Sequence, residues 1–260
     1  MIKISENLSF LFIDLPFEKR FNAASDLGFK AVEFLFPYNY QINNIKSWLE
    51  EANLKLILFN SFPGNLEKGE KGIACLMGRE NEFKEKFSIA LEYAEQLKCP
   101  FIHIMPGIEL DEKYRNKYRD IFKKNLSYAA SLSKGKNITI LIEAINDKDI
   151  PSYHLNYVSD AIDIIEELKH PYLKLQLDLY HAQIMSGNLT SIIEKSISYT
   201  KHMQIASPPY RYEPDKGEIN FQFIFSIIEK LKYDGYIGCE YNPSTNTKDS
   251  LHWAQNYNIK

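Results

Sequence analysis

Short apolar runs and amphipathic stretches alternate along the whole chain. A brief apolar run bounded by turn formers reads as a buried strand, whereas apolar positions spaced three and four apart read as a helix. On that rule an opening strand over Ile2 to Asn7 leads to a helix from Phe17 to Leu27, stopped at Gly28, a residue suited to the left-handed turn after a helix. The run AVEFLF, a helix from Ile42 to Ala52 and the run KLILFN follow. Residues 61–78 form a long connection rich in Gly, Pro and Asn, which reads as a lid or binding loop. Beyond it come a helix from Glu80 to Leu97, the strand FIHIMPG, a charged helix from Asp111 to Leu132 and the strand ITILIEA. The last part alternates SDAIDIIEELKH, LKLQLDLYH, LTSIIEKSISYT, HMQIAS, FQFIFSIIEKLKY and GYIGCEY, then a final helix through Trp253.

Eight such units in strict alternation imply parallel strands with crossover helices and predict an α/β protein of the (β/α)8 TIM barrel class. The length of 260 residues suits that barrel, and no linker divides the chain, so residues 1–260 are expected to form one domain. An open doubly wound sheet is the rival, but its nucleotide-binding signatures GxGxxG and GxxxxGK[ST] are absent.

Four of the apolar runs in the second half carry one oxygen-bearing residue each: Glu143, Asp178, Gln204 and Glu240. Side chains alternate between the two faces of a strand, so parity shows whether these residues can meet. Leu173, Leu175 and Leu177 share one face of their strand and suit the helix layer; Lys174, Gln176 and Asp178 then face the barrel interior. The same rule turns Glu143, Gln204 and Glu240 inward, and adds Glu33, Asn60 and His103 from the first half of the chain. A buried carboxylate is costly unless it is paired or bound to a metal. Single members of this set read as structural ion pairs; four on consecutive strands, without Lys or Arg beside them, read as one site. His103 and His202 are more readily packed, hydrogen-bonded histidines, with His103 kept beside Asn60 as a substrate-facing candidate.

Hydrophobic residues make up 45% and charged residues 25%, enough to bury a full core, and the formal net charge of −3 offers no basic field for nucleic acid. A small molecule is the expected partner; self-association stays open. The three cysteines, Cys75, Cys99 and Cys239, are widely spaced, which fits reduced thiols rather than a disulfide framework. With no signal-like leader and no run of about 18 apolar residues, a cytoplasmic protein without membrane spans is expected.

Three carboxylates facing one volume repel each other, so a cation lies among them or a carboxyl keeps its proton. Oxygen donors without thiolates favour Mg²⁺ or Mn²⁺. A hard octahedral ion leaves positions for two vicinal substrate oxygens, as in an α-hydroxycarbonyl, and a nearby carboxylate can then move a proton between adjacent carbons. That chemistry belongs to an enediolate isomerase or epimerase.

The segments VEFLFPYNY (32–40), KGIACLMGREN (71–81), LIEAINDKDIPSYHL (141–155), LDLYHAQIMSGNLT (177–190), EPDKGEINF (213–221) and GCEY (238–241) together resemble the hydroxypyruvate isomerase family of xylose isomerase-like barrels. The resemblance covers nearly the whole chain. It implies that Glu143 and Glu240 are the proton-transfer pair and that Glu143, Asp178, Gln204 and Glu240 hold a divalent cation, Gln204 standing where related epimerases have a histidine. It further implies that His181 contacts a substrate oxygen and that Arg211 meets a carboxylate or oxyanion; a pair with Glu213 or Glu218 is the structural alternative for Arg211. The chain departs from the family pattern at Ser207-Pro208, where Asp-Asn is expected, which opens a metal-light mechanism with one proton shared by two glutamates. The implied substrate is a small hydroxy-oxo acid, either hydroxypyruvate or a four-carbon 2-oxotetronate. Aromatic residues Phe10, Phe36 and Tyr38 are candidates for setting pocket size. A ketose 3-epimerase, a carbohydrate-acid binding protein and a nuclease of the endonuclease IV kind are the competing readings; the last needs several metal-binding histidines and a basic groove, whereas this chain has six His in all and a net negative charge.

Overall fold

In the computed structural model, which describes residues 2–257 and 259, the apolar runs become eight strands: β1 (Lys3–Asn7), β2 (Ala31–Phe34), β3 (Lys55–Asn60), β4 (Phe101–His103), β5 (Thr139–Glu143), β6 (Leu173–Asp178), β7 (Thr200–Ile205) and β8 (Tyr236–Cys239). Of the span 1–260 expected to form one domain, Met1, Asn258 and Lys260 lie outside the described residues. Each strand pairs in parallel with its successor, and β8 pairs with β1, closing the barrel. The (β/α)8 class expected from the alternation is the class observed.

The helices form where one apolar stripe can be laid on the barrel. They are α1 (Phe17–Asp26), α2 (Ile42–Glu51), α3 (Glu80–Leu97), α4 (Arg115–Leu132), α5 (Val158–Leu168), α6 (Leu179–Ser186), α7 (Leu189–Ser196) and α8 (Phe221–Lys230). In α3, Phe83, Phe87, Ala90, Leu91, Ala94 and Leu97 are buried at helical spacing, and Glu80 and Glu82 complement the positive N-terminal end. Helix α8 starts where the Asn220 side chain accepts a hydrogen bond from the Phe223 backbone N–H at 3.0 Å.

Two elements differ from the sequence expectation. A separate helix, α6, begins directly at the end of β6; its residues show almost no apolar stripe, because Leu179, Tyr180, His181 and Ala182 are consecutive and all buried. The segment after β8 is a 3-10 helix, Asp249–Tyr257, rather than an α-helix. Among the described residues no helix is long and apolar enough to cross a membrane.

The apolar core lies between barrel and helices, and Leu173, Leu175 and Leu177 are completely buried in it. The barrel interior holds the polar residues that parity turns inward, together with apolar ones such as Leu58 and Leu141. Gly238 on β8 leaves room for this: a Cβ at that position would overlap the carboxylate of Glu33, which reaches across from β2. Gly238→Ala is expected to destabilise the protein by about 1–3 kcal/mol, the usual cost of overpacking. Urea denaturation checks this, and an unchanged midpoint would show that Glu33 can move aside freely.

Candidate active site

Asp178 shows how the fold places a functional group. As the last residue of β6 it is also the N-cap of α6, and its Oδ1 accepts the Tyr180 N–H at 2.8 Å. One carboxylate oxygen thus secures the helix, and the other, Oδ2, is buried without a hydrogen-bond partner. On β5, Glu143 places Oε2 3.0 Å from the Gln176 amide and 3.5 Å from His103 Nδ1, while its Oε1 is likewise buried and unpartnered.

Amides link the carboxylates. Gln176 donates both to Glu143 and to the Gln204 carbonyl oxygen, the latter at 2.6 Å. Gln204 donates in turn to Glu33 at 2.8 Å and to Glu240. Asn7 on β1 donates to Glu33 at 3.2 Å and to Glu240 at 3.0 Å, and the Ser5 hydroxyl donates to Glu33 at 2.9 Å. His202 packs beneath this layer with Nε2 2.7 Å from Glu33.

Arg211 points inward, away from Glu213, which instead accepts from the Ser244 N–H and hydroxyl, and from Glu218, which accepts from Gln183. Its guanidinium meets Glu240 at 2.6 Å, Asp149 at 3.3 Å and Asp178 at 4.0 Å. The rings of Phe10 and Tyr180 lie 4.8 and 5.0 Å from it, which adds cation–π attraction. Ser207, at the departure from the family pattern, exchanges backbone hydrogen bonds with Tyr212 and so closes the loop that presents Arg211.

His181 has a defined tautomer. The Asn146 backbone N–H, which can only donate, lies 3.4 Å from Nδ1, and the Asn146 side-chain amide lies 2.6 Å from the same atom. The Asn146 carbonyl oxygen is turned away, accepting from the Lys148 and Asp149 N–H groups, so the amide nitrogen faces the ring. Nδ1 therefore accepts, and the proton sits on Nε2, 3.6 Å from Asp178 Oδ2.

Burial controls the charges. It lifts the Glu240 carboxyl to about 8; Arg211 opposes this, and Asp178 and Glu33 add to it. It lifts Asp178 to about 6 against the pull of Arg211, and it pushes Glu143 well above the usual carboxylate range, with repulsion from Glu240 adding to the effect. Both imidazoles are driven toward neutrality by desolvation, His103 down to about 3 and His181 well below its ordinary value.

Glu143, Glu240, His103, His181 and Arg211 line a cavity of about 610 Å³ together with Phe10, Phe36, Asn60 and Lys71, and Asp178 lies buried behind them. Tyr38 stands behind this wall, its hydroxyl bonded to the Asn60 carbonyl at 2.7 Å. Asn60 and His103 join each other at 3.2 Å, leaving His103 Nε2 buried and unpartnered. A larger recess of about 850 Å³ lies at the opposite end of the barrel among Lys46, Lys55, Lys98 and Lys136, and contains none of these residues.

Glu143, Asp178 and His181 place potential ligand atoms within 4.8 Å of one another, His181 serving as a ligand only if its Nε2 proton is lost. The free oxygens of Glu143 and Asp178 fit a hard cation. The four-ligand set expected from sequence divides in the structure. The single oxygen of Gln204 already accepts from Gln176, and both oxygens of Glu240 are engaged by Arg211, Gln204 and Asn7. Sequence reasoning did not single out Ser5, Asn7, Asn146, Asp149 or Tyr180. Ser5 and Asn7 carried a usable signal, since both share the inward parity of β1; the others act from loops or the unrecognised α6.

Residues 21–257 match the model of the xylose isomerase-like TIM barrel family, and the chain belongs to that family. Within it, the chain is 43% identical to a 2-oxo-tetronate isomerase of Pectobacterium atrosepticum, over 98% of this chain and 97% of that protein. It is 39% identical to the hydroxypyruvate isomerase of Escherichia coli, over 99% of this chain and 100% of that one. A crystal structure from Brucella melitensis described as an AP endonuclease, family 2, superimposes with a TM-score of 0.96 at 42% identity, covering 99% of each chain.

The raised carboxyls set a pH dependence. A native group whose pKa exceeds its unfolded value near 4.5 holds a proton that the unfolded chain has released, so its stabilising effect is complete below that value and is lost as pH rises through the folded pKa. Metal-stripped protein is expected to show a melting temperature that falls between about pH 5 and pH 9, with a shallower fall in Mn²⁺. A flat or rising curve without metal would contradict the assignment.

Proposed function

We propose that the chain is an isomerase of small hydroxy-oxo acids, moving a proton between the two carbons of an α-hydroxycarbonyl through Glu143 and Glu240. The observation that carries this reading is the pair itself: two buried carboxyls with raised pKa on β5 and just past β8, opening into one cavity. The names of the 2-oxo-tetronate and hydroxypyruvate isomerases at about 40% identity support the substrate class.

One glutamate, ionised, takes the proton from the hydroxyl-bearing carbon, and the electron pair of that C–H bond moves into the adjacent carbonyl, giving an enediolate. The other glutamate, protonated, delivers its proton to the former carbonyl carbon as the hydroxyl proton moves between the two oxygens. His181, with its proton on Nε2, is placed to donate to the oxygen on which charge develops. Glu143 and Asp178, which have free oxygens, would hold a divalent cation such as Mg²⁺ or Mn²⁺, which would supply positive charge among the buried acids. Gln204 orients Glu240 and Glu33, and Arg211 balances Glu240 and Asp149. Phe10 and Phe36 on the cavity wall bear on three-carbon against four-carbon acids. The buried free thiols suit a reducing, cytoplasmic setting.

The endonuclease description of the Brucella structure points elsewhere, but the net charge of −3 gives no electrostatic footprint for a phosphate backbone.

Glu240→Gln keeps the shape of the side chain and removes its proton transfer. Its expected effect is a loss of about 10²–10⁴ in kcat with hydroxypyruvate and with the 2-oxotetronate acid. Wild-type rates in that variant would refute the two-glutamate shuttle. Solvent deuterium should enter the substrate carbon next to the carbonyl with the unmodified enzyme, which a binding protein would not achieve.

A further inference from the structure

The cavity wall carries two permanent cations, Arg211 and Lys71. Arg211 is already engaged: Glu240 and Asp149 lie within 3.3 Å, Asp178 at 4.0 Å, and two aromatic rings flank it. Lys71 forms no hydrogen bond, ion pair or cation–π contact with any described residue. An uncompensated ammonium in a cavity otherwise dominated by carboxylates is a site for an anion that arrives from outside.

The backbone beside it is held in place. The next residue, Gly72, has φ +114°, and a Cβ there would overlap the Met105 carbonyl oxygen. The Gly72 N–H donates to Pro63 at 2.7 Å, and Gly72 bridges to Pro106, so the β3–α3 connection is tied to the segment after β4 beside Lys71. Leu35, Phe36, Leu66 and Met105 contribute apolar wall to the cavity that Lys71 and Asn60 also line. In the barrel order, β3 and β4 stand across the axis from β7 and β8.

We propose that Lys71 anchors the substrate carboxylate and thereby selects hydroxy-oxo acids over uncharged hydroxyketones, an inference that rests on the isomerase reading above. The reacting carbons lie against the β5–β8 half, where Glu143, Asp178 and Glu240 repel a substrate carboxylate, and the acid group turns to the opposite wall. In both hydroxypyruvate and 2-oxotetronate the carboxylate is bonded directly to a reacting carbon, so one anchor serves both and any extra carbon extends the other way.

The test compares wild type, Lys71→Met and Lys71→Arg on hydroxypyruvate, on 2-oxotetronate and on dihydroxyacetone, in which a hydroxymethyl group replaces the carboxylate. In Lys71→Met, kcat/KM for each acid relative to solvent deuterium exchange into dihydroxyacetone is expected to fall about tenfold or more, chiefly through KM, the scale of one lost charged hydrogen bond. Lys71→Arg should recover most of that ratio. A ratio unchanged in Lys71→Met, or one lowered through kcat alone, overturns the anchor while leaving the isomerase reading intact. If wild type turns over neither acid, the isomerase reading fails and the anchor with it.

Discussion

The site depends on neutral amides inserted between carboxylates. Glu33, Glu143 and Glu240 are buried close enough to repel, and direct contact among their ions would be prohibitive in a low-dielectric interior. Gln176 and Gln204 solve this by offering N–H groups to the acids and using the Gln204 carbonyl to join the two amides to each other. An amide has one acceptor oxygen and two N–H donors, so the direction of every bond in this chain is determined. Such a network is rigid when complete, and only a few oxygens, those of Glu143 and Asp178 above all, remain for external ligands.

This arrangement explains the division of labour between strands and loops. The strands place the carboxyls, and closure of the barrel brings the ends of β5, β6 and β8 to one volume. The loops set tautomer and charge balance: Asn146 holds the proton on His181 Nε2, and the connection closed by Ser207 and Tyr212 delivers Arg211 to Glu240. Ser207, where the resemblance implies Asp, turns its hydroxyl toward Gly217.

The barrel and the inward acids were legible in sequence because both follow from period. Alternation of apolar runs with helical stripes defined the eight units, and strand parity sorted Leu175 from Gln176 and Asp178. What was not legible lacked a period. Helix α6 has its buried residues in sequence order rather than on a stripe, and it is initiated by a site carboxylate that periodicity assigns only to a strand. The contacts of Arg211 with Phe10, Tyr180 and Asp149 join residues up to about two hundred positions apart through loop conformations that no local pattern encodes. The engagement of Gln204 by Gln176 could not be foreseen either, because residue type alone makes a buried glutamine equally suitable as a metal ligand and as a bridge between acids.

Asp178 gives the fold and the site a common fate. The same carboxylate starts α6 with one oxygen and keeps the other free beside Glu143 and His181, so replacing it disturbs the helix that carries His181 as well as the acid cluster. Any change at this one position therefore alters a helix start and a candidate ligand atom together.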